Sequence, residues 1–121
     1  MAEARGPILD PAALRRLQAL DPDGRRNLMP RLLQAYNDSL TTLALQLEGA
    51  RSGPDLELAG RIAHTLKSSS ERVGAHALSQ LCADLERLAQ ARDAAAAAPL
   101  LQPLAEEIQR VRAAVRAMLL P

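Results

Sequence analysis

Ala63-His64-Thr65-Leu66-Lys67-Ser68-Ser69-Ser70-Glu71-Arg72-Val73-Gly74-Ala75 is the stretch that decides both the fold of this chain and the place of its chemistry. Ile62, Leu66, Ser69 and Val73 recur at steps of four, three and four, which is one stripe along a helix. His64, Lys67, Ser68 and Glu71 recur at steps of three, one and three, which gathers them on another side of that helix. The polar side faces water and carries an imidazole, an ammonium one turn later and a small side chain beside them. Such a set suits a nucleophilic nitrogen that another protein must reach and that must hold an anionic group. Gly74 closes the helix, because glycine takes the left-handed conformation that a helix terminus often needs.

Outward from this helix the chain reads as helices separated by short breaks. Asp10-Pro11 is a cap and a first-turn proline, opening a short helix through Leu14 and Leu17 to about Leu20. Asp21-Pro22-Asp23-Gly24 is a turn. A long helix follows from near Asn27 to Ala50, with Pro30 tolerable in its first turn, where amides lack intrahelical partners. Arg51-Ser52-Gly53-Pro54 breaks it, and the His64 helix starts near Asp55. A fourth segment runs from about His76 to Ala91 with Leu78, Leu81, Cys82, Leu85 and Leu88 on one face. Asp93 can cap the last segment, which reaches Leu119, but Pro99 and Pro103 predict that regular helix starts only after them. Short connections make neighbours antiparallel, so the expected fold is all-α, an antiparallel up-down four-helix bundle with a short additional N-terminal helix. It forms one domain over residues 1–121, with 1–8 as a flexible leader. Met1 and that short polar leader fit a free-standing protein.

Composition narrows the function classes. The chain has 121 residues, enough for one core, and its single Tyr with no Trp or Phe makes that core aliphatic. Fifteen basic against fourteen acidic residues argue against nucleic acid as the main partner, and the missing aromatics remove any base-stacking platform. No apolar run approaches the ~20 residues of a membrane span, and residues 1–7 lack the order of a signal peptide. Cys82, the only cysteine, can form neither an internal disulfide nor a thiolate metal cluster and is expected to be a buried, inert thiol. A soluble cytoplasmic monomer is the expectation.

The segment around His64 resembles the phosphorylation motif of histidine-containing phosphotransfer (HPt) domains, the intermediates of multistep His-Asp phosphorelays. The family pattern maps onto His64, Leu66, Lys67, Ser68, Ser69, Ser70, Gly74 and Ala75, and departs at Ser68, where the family usually has Gly. The resemblance covers about Leu9 to the end of the chain, through helix order and length, and implies the same bundle. It implies that His64 accepts a phosphoryl group from the aspartate of one receiver domain and passes it to another. The implied partners are receiver domains of hybrid sensor histidine kinases and of response regulators. The family makes Mg²⁺ the receiver's contribution, so this chain is expected to need no cofactor or metal.

The chemistry agrees. An imidazole with its ordinary pKa of ~6.5 has a free lone pair at physiological pH and can attack an acyl phosphate. Lys67 would offset charge on the phosphoryl group. Gly60, Arg61, Ser68 and Glu71 surround His64 as the expected surface for receiver approach, with apolar contact from Leu14, Leu17 and Leu33 beside it. Glu86 falls, by the resemblance, where the family often holds a polar residue near the histidine; it either orients the imidazole or is an ordinary exposed charge. Tyr36 is expected in the core and His76 on the surface, without a phosphoryl role. Two rival classes stand beside this reading. One is a helical adaptor that binds signalling proteins without phosphorylation. The other is an enzyme using His64 as nucleophile or base, which is disfavoured because no Asp or Glu is positioned to orient the histidine and no Gly-rich anion loop is present. No nucleotide-binding segment of a kinase type is visible, so self-phosphorylation from ATP is not expected.

Overall fold

Each expected break in the sequence separates two helices, and five result among the described residues. A computed structural model of the chain describes residues 7–52 and 55–120. The helices are α1 (Pro11–Gln18), α2 (Leu28–Ser52), α3 (Leu56–Arg72), α4 (His76–Gln90) and α5 (Ala94–Leu119). Gly53 and Pro54 of the expected break, and residues 1–6 of the expected leader, lie outside the described residues. Ile8 already rests against the core.

The caps explain where the helices begin. Asp10 accepts the amide of Ala12, Asp55 that of Leu58 and Asp93 that of Ala96, each satisfying a donor with no intrahelical partner. At α2 the cap comes from across the turn: the Asp21 carboxylate takes the amides of Arg26 and Leu28. The bond from Leu28 is the main reason that the Asp21 carboxyl sits below its ordinary pKa.

Consecutive helices pack on each other, α3 on α4 most extensively, and α2 also packs on α5, so α2 to α5 close an antiparallel four-helix ring. The short α1 lies across one end, against α2. The interior is aliphatic: Leu33, Leu40 and Leu47 of α2, Ile62 and Leu66 of α3, Leu78 and Leu85 of α4, and Leu104, Ile108, Val111 and Val115 of α5 are all buried. Fully burying one such side chain contributes ~1.5–3 kcal/mol relative to leaving it exposed. Tyr36 is buried with them, and its hydroxyl is satisfied by Ser70 Oγ at 2.8 Å, joining α2 to α3. Burial pushes the Tyr36 phenol well above its ordinary pKa.

Three expectations need correction. First, α5 is helical from Ala94, although Pro99 and Pro103 lie inside it. Each proline removes one amide, leaving the carbonyls of Ala95 and Pro99 without their helical donors. Both of those residues are exposed, so water can take the bonds, and the alanine run favours helix throughout. Second, the small residue buried on the α3 stripe is Ser70; Ser69 is only half-buried. Third, Leu17 and Leu33 are core residues and cannot supply a docking surface, while Leu14 is half-buried against the core.

Gly74 ends α3 in a Schellman motif. Its φ is +83°, its amide bonds the Glu71 carbonyl at 3.1 Å, and the Ala75 amide bonds the Ser70 carbonyl at 2.8 Å. The Gly74 carbonyl also accepts the Asp10 amide at 3.0 Å, so the α3–α4 turn holds the start of α1.

Candidate functional site

His64 lies in the middle of α3 with its side chain 74% exposed. Its Nδ1 is 2.5 Å from Glu86 Oε2, and Lys67 Nζ is 2.5 Å from the other oxygen of the same carboxylate. Glu86 comes from α4 and its side chain is only 13% exposed. The Lys67 bond first, and the His64 bond second, hold the Glu86 carboxyl below its ordinary range, against the opposing cost of burial. Glu86 is therefore an anion at neutral pH and can only accept, so His64 donates through Nδ1–H. In the neutral ring this leaves the lone pair on Nε2, which has no protein partner among the described residues.

This geometry bears on one open alternative and corrects one argument. Glu86 is mostly buried and bonded to the imidazole, and so is not a solvated helix charge. A carboxylate is thus placed to orient the histidine, contrary to the reading that none was. Ser79 is a member that no motif or spacing singled out. It is nearly buried on α4 and its hydroxyl donates to the Lys67 carbonyl at 3.1 Å, tying the two helices beside the site.

The other expected site residues take varied places. Gly60, Arg61, Thr65, Glu86 and Ala89 line an open groove of about 520 Å³ next to His64. Arg61 pairs at 2.8 Å with Glu57 one turn earlier, and both are exposed, so the pair forms a solvated rim of little energetic weight. Ser68 is exposed one turn after His64. Glu71 lies two turns after His64, and its carboxylate engages His76 Nδ1 at 3.0 Å. Cys82 is fully buried, and burial pushes its thiol up to about 12, which makes it an inert core residue. Among the described residues no three His, Cys, Asp or Glu side chains group as a metal site, and no helix is long and apolar enough to cross a membrane.

His76 is differently placed from His64. Its Nε2 is 2.9 Å from Asp10 Oδ2 and its Nδ1 is 3.0 Å from Glu71, so both ring nitrogens are occupied. The Asp10 bond, then the Glu71 bond, raise the pKa of His76, and the bond to His76 is the main cause that lowers both carboxyls. The raised imidazole stabilises the fold below its ordinary value of ~6.5, and this contribution is lost as pH climbs through the raised value. The lowered carboxyls stabilise it above their ordinary values of 3.8 and 4.5, and lose this as pH falls through the lowered ones. All three act together between roughly pH 4.5 and 6.5. The stability difference between the natural chain and His76→Ala, measured by urea unfolding, is expected to be largest near pH 5.5 and to shrink toward pH 8. Added salt should reduce it, because the cluster is partly exposed. A difference that is flat across this range would show that the cluster is not charged as the geometry implies.

Comparison with known proteins gives the chain its relatives. The family model of the Hpt domain matches residues 31–114. The sensor protein TorS of Escherichia coli (strain K12) is 43% identical over 75 residues, which is 61% of this chain and 7% of TorS, so the chain spans a small part of that relative. The crystal structure of histidine-containing phosphotransfer protein B (HptB) from Pseudomonas aeruginosa PAO1 superposes with a TM-score of 0.79. It is 26% identical, over 93% of this chain and 95% of HptB. A rice protein described as a histidine-containing phosphotransfer protein superposes with a TM-score of 0.75 at 18% identity. That match covers 98% of this chain and 83% of the rice chain, and at this identity it bears on the fold alone.

Proposed function

The chain belongs to the Hpt domain family and has its role in phosphorelay histidine phosphotransfer, and from that premise we propose that His64 is the phosphoacceptor. The observation that carries this reading is the exposed ring whose Nδ1 is fixed by Glu86, with Lys67 on the same carboxylate.

In the proposed step, the Nε2 lone pair attacks the phosphorus of a receiver's aspartyl phosphate. The P–Nε2 bond forms, the P–O bond to the aspartate breaks, and its electron pair leaves with the aspartate carboxylate. Nδ1 keeps its proton, so the phosphorylated ring carries a positive charge beside the Glu86 carboxylate. Lys67 supplies a positive charge on the phosphoryl side. The reverse sequence delivers the group to a second receiver. The partners in this reading are receiver domains of hybrid sensor kinases and of response regulators. Mg²⁺ would belong to the receiver, and the chain would act as a cytoplasmic monomer, consistent with its inert lone thiol. Docking would use the groove beside His64 with Gly60, Arg61 and Ser68, and Glu71 at its far edge.

The test is labelling of the natural chain by a phosphorylated receiver. The expected product is acid-labile and base-stable, with a ³¹P signal of Nε2-phosphohistidine. No label from any receiver of the source organism would defeat the reading and favour the adaptor alternative; label on Nδ1 would defeat the tautomer argument.

Lys67→Ala is expected to slow transfer by roughly tenfold, about 1.4 kcal/mol of transition-state stabilisation. The bundle should stay folded, because Lys67 is on the surface side of α3 and Glu86 keeps His64 as partner. Single-turnover transfer measured beside circular dichroism checks both halves.

A further inference from the structure

Gly60 lies on α3 one turn before His64, and Ala89 lies on α4 about one turn after Glu86. A Cβ added at Gly60 would stand 2.7 Å from Ala89 Cβ. The methyl of alanine has no rotamer through which to escape, so relief requires the two helix backbones to part. Restoring an ordinary carbon–carbon contact needs roughly 1 Å of separation.

Three contacts along this helix pair follow one antiparallel order. The Schellman turn at Gly74 joins α3 to α4. Ser79 on Lys67 lies nearest that turn, His64 on Glu86 comes next, and Gly60 on Ala89 lies farthest from it. A wedge at Gly60 would therefore open the pair from its free end, with the turn and the Ser79 bond as the hinge. The His64–Glu86 bond, at 2.5 Å, is one turn from the wedge. Lengthened by about 1 Å it would pass out of the range of a charge-assisted hydrogen bond. Helix propensity runs the other way, since Ala favours a helix interior over Gly. A glycine at this point is thus explained by interhelical space and not by helix formation.

We propose that Gly60 is a positioning residue for phosphoryl transfer. Its missing side chain lets α4 approach closely enough for Glu86 to hold the Nδ1–H tautomer of His64, which leaves Nε2 as the nucleophile. The transfer half of this statement rests on the phosphoacceptor reading of His64; the tautomer half does not.

The test compares the natural chain with Gly60→Ala, Ala89→Gly and the Gly60→Ala/Ala89→Gly exchange. Ring ¹⁵N chemical shifts of His64 read the tautomer without a receiver, and single-turnover transfer from a phosphorylated receiver reads the rate. Gly60→Ala is expected to mix the two tautomers and to slow transfer roughly 10- to 100-fold, the scale of a 1 Å misplacement. Ala89→Gly, which keeps the contact open, should leave the tautomer unchanged. The exchange returns the methyl count across the contact and should restore both. Folded Gly60→Ala with the tautomer and rate of the natural chain overturns the proposal, as does an exchange that folds without restoring them. If Gly60→Ala does not fold, recovery of fold and tautomer in the exchange supports the proposal, and failure to recover them overturns it. Failure of the natural chain to accept a phosphoryl group would defeat the phosphoacceptor reading, while the tautomer measurement would still decide the role of Gly60.

Discussion

His64→Gln is expected to lose essentially all phosphoryl label from a phosphorylated receiver while keeping the helical fold. The amide nitrogen of Gln has no available lone pair, so no P–N bond can form on it. The fold should tolerate the change because the side chain is mostly in water and a Gln amide can still donate to Glu86. A stability change within about 0.5 kcal/mol is expected for such a surface position. His76, the other histidine, cannot readily substitute, since Asp10 and Glu71 occupy both its nitrogens. Labelling beside urea unfolding checks the two halves, and full label on the variant would move the phosphoacceptor elsewhere.

The second large effect is on stability. Gly74→Ala should cost roughly 2–5 kcal/mol, combining ~1–2 for a left-handed backbone with ~1–3 for overpacking. The crowding is specific: an added Cβ would stand 2.6 Å from the Asp10 amide nitrogen and 2.8 Å from Asp10 Cβ. Arg92 shows that left-handed backbone alone is tolerated. It ends α4 in the same bonded motif at φ +57°, with its amide on Ala89 and the Asp93 amide on Leu88, and it is not glycine. The two contributions can be separated by urea unfolding. A loss limited to about 1–2 kcal/mol would mean that α1 shifts aside and only the backbone strain remains. A domain of this size has ~5–15 kcal/mol in total, so the upper end would leave the bundle marginal.

Much of this architecture was legible in the sequence because local signals and the global fold agree. Asp10-Pro11, Pro30, Asp93 and Gly74 each stand at a helix end where their chemistry is needed, and the Leu stripes face one core. His64 and Lys67 were legible because i and i+3 on one helix are neighbours whatever the tertiary fold. What failed to show was whatever depends on distance between helices. Glu86 is 22 residues from His64, and only antiparallel packing about the Gly74 turn makes them partners. Ser70 and Ser69 differ by one helix step, and the Tyr36 hydroxyl, invisible to periodicity, decides which is buried. Leu17 and Leu33 looked available as surface because the seat of α1 on the bundle is a tertiary fact. The prolines of α5 misled because the rule against interior proline weakens where the orphaned carbonyls meet water.

The Tyr36–Ser70 pair has a consequence for observation. With one Tyr and neither Trp nor Phe, the chain is almost dark in the near ultraviolet. Any tryptophan emission in a mixture with a receiver would come from the receiver alone, so complex formation can be followed without labelling either protein. The one chromophore of the chain is a sealed phenol on α2, bonded to the residue that stands one turn after Lys67. Its absorption and its buried hydroxyl proton would report whether α2 and α3 stay joined when the phosphoryl group arrives, a native reporter in the seam between the two helices.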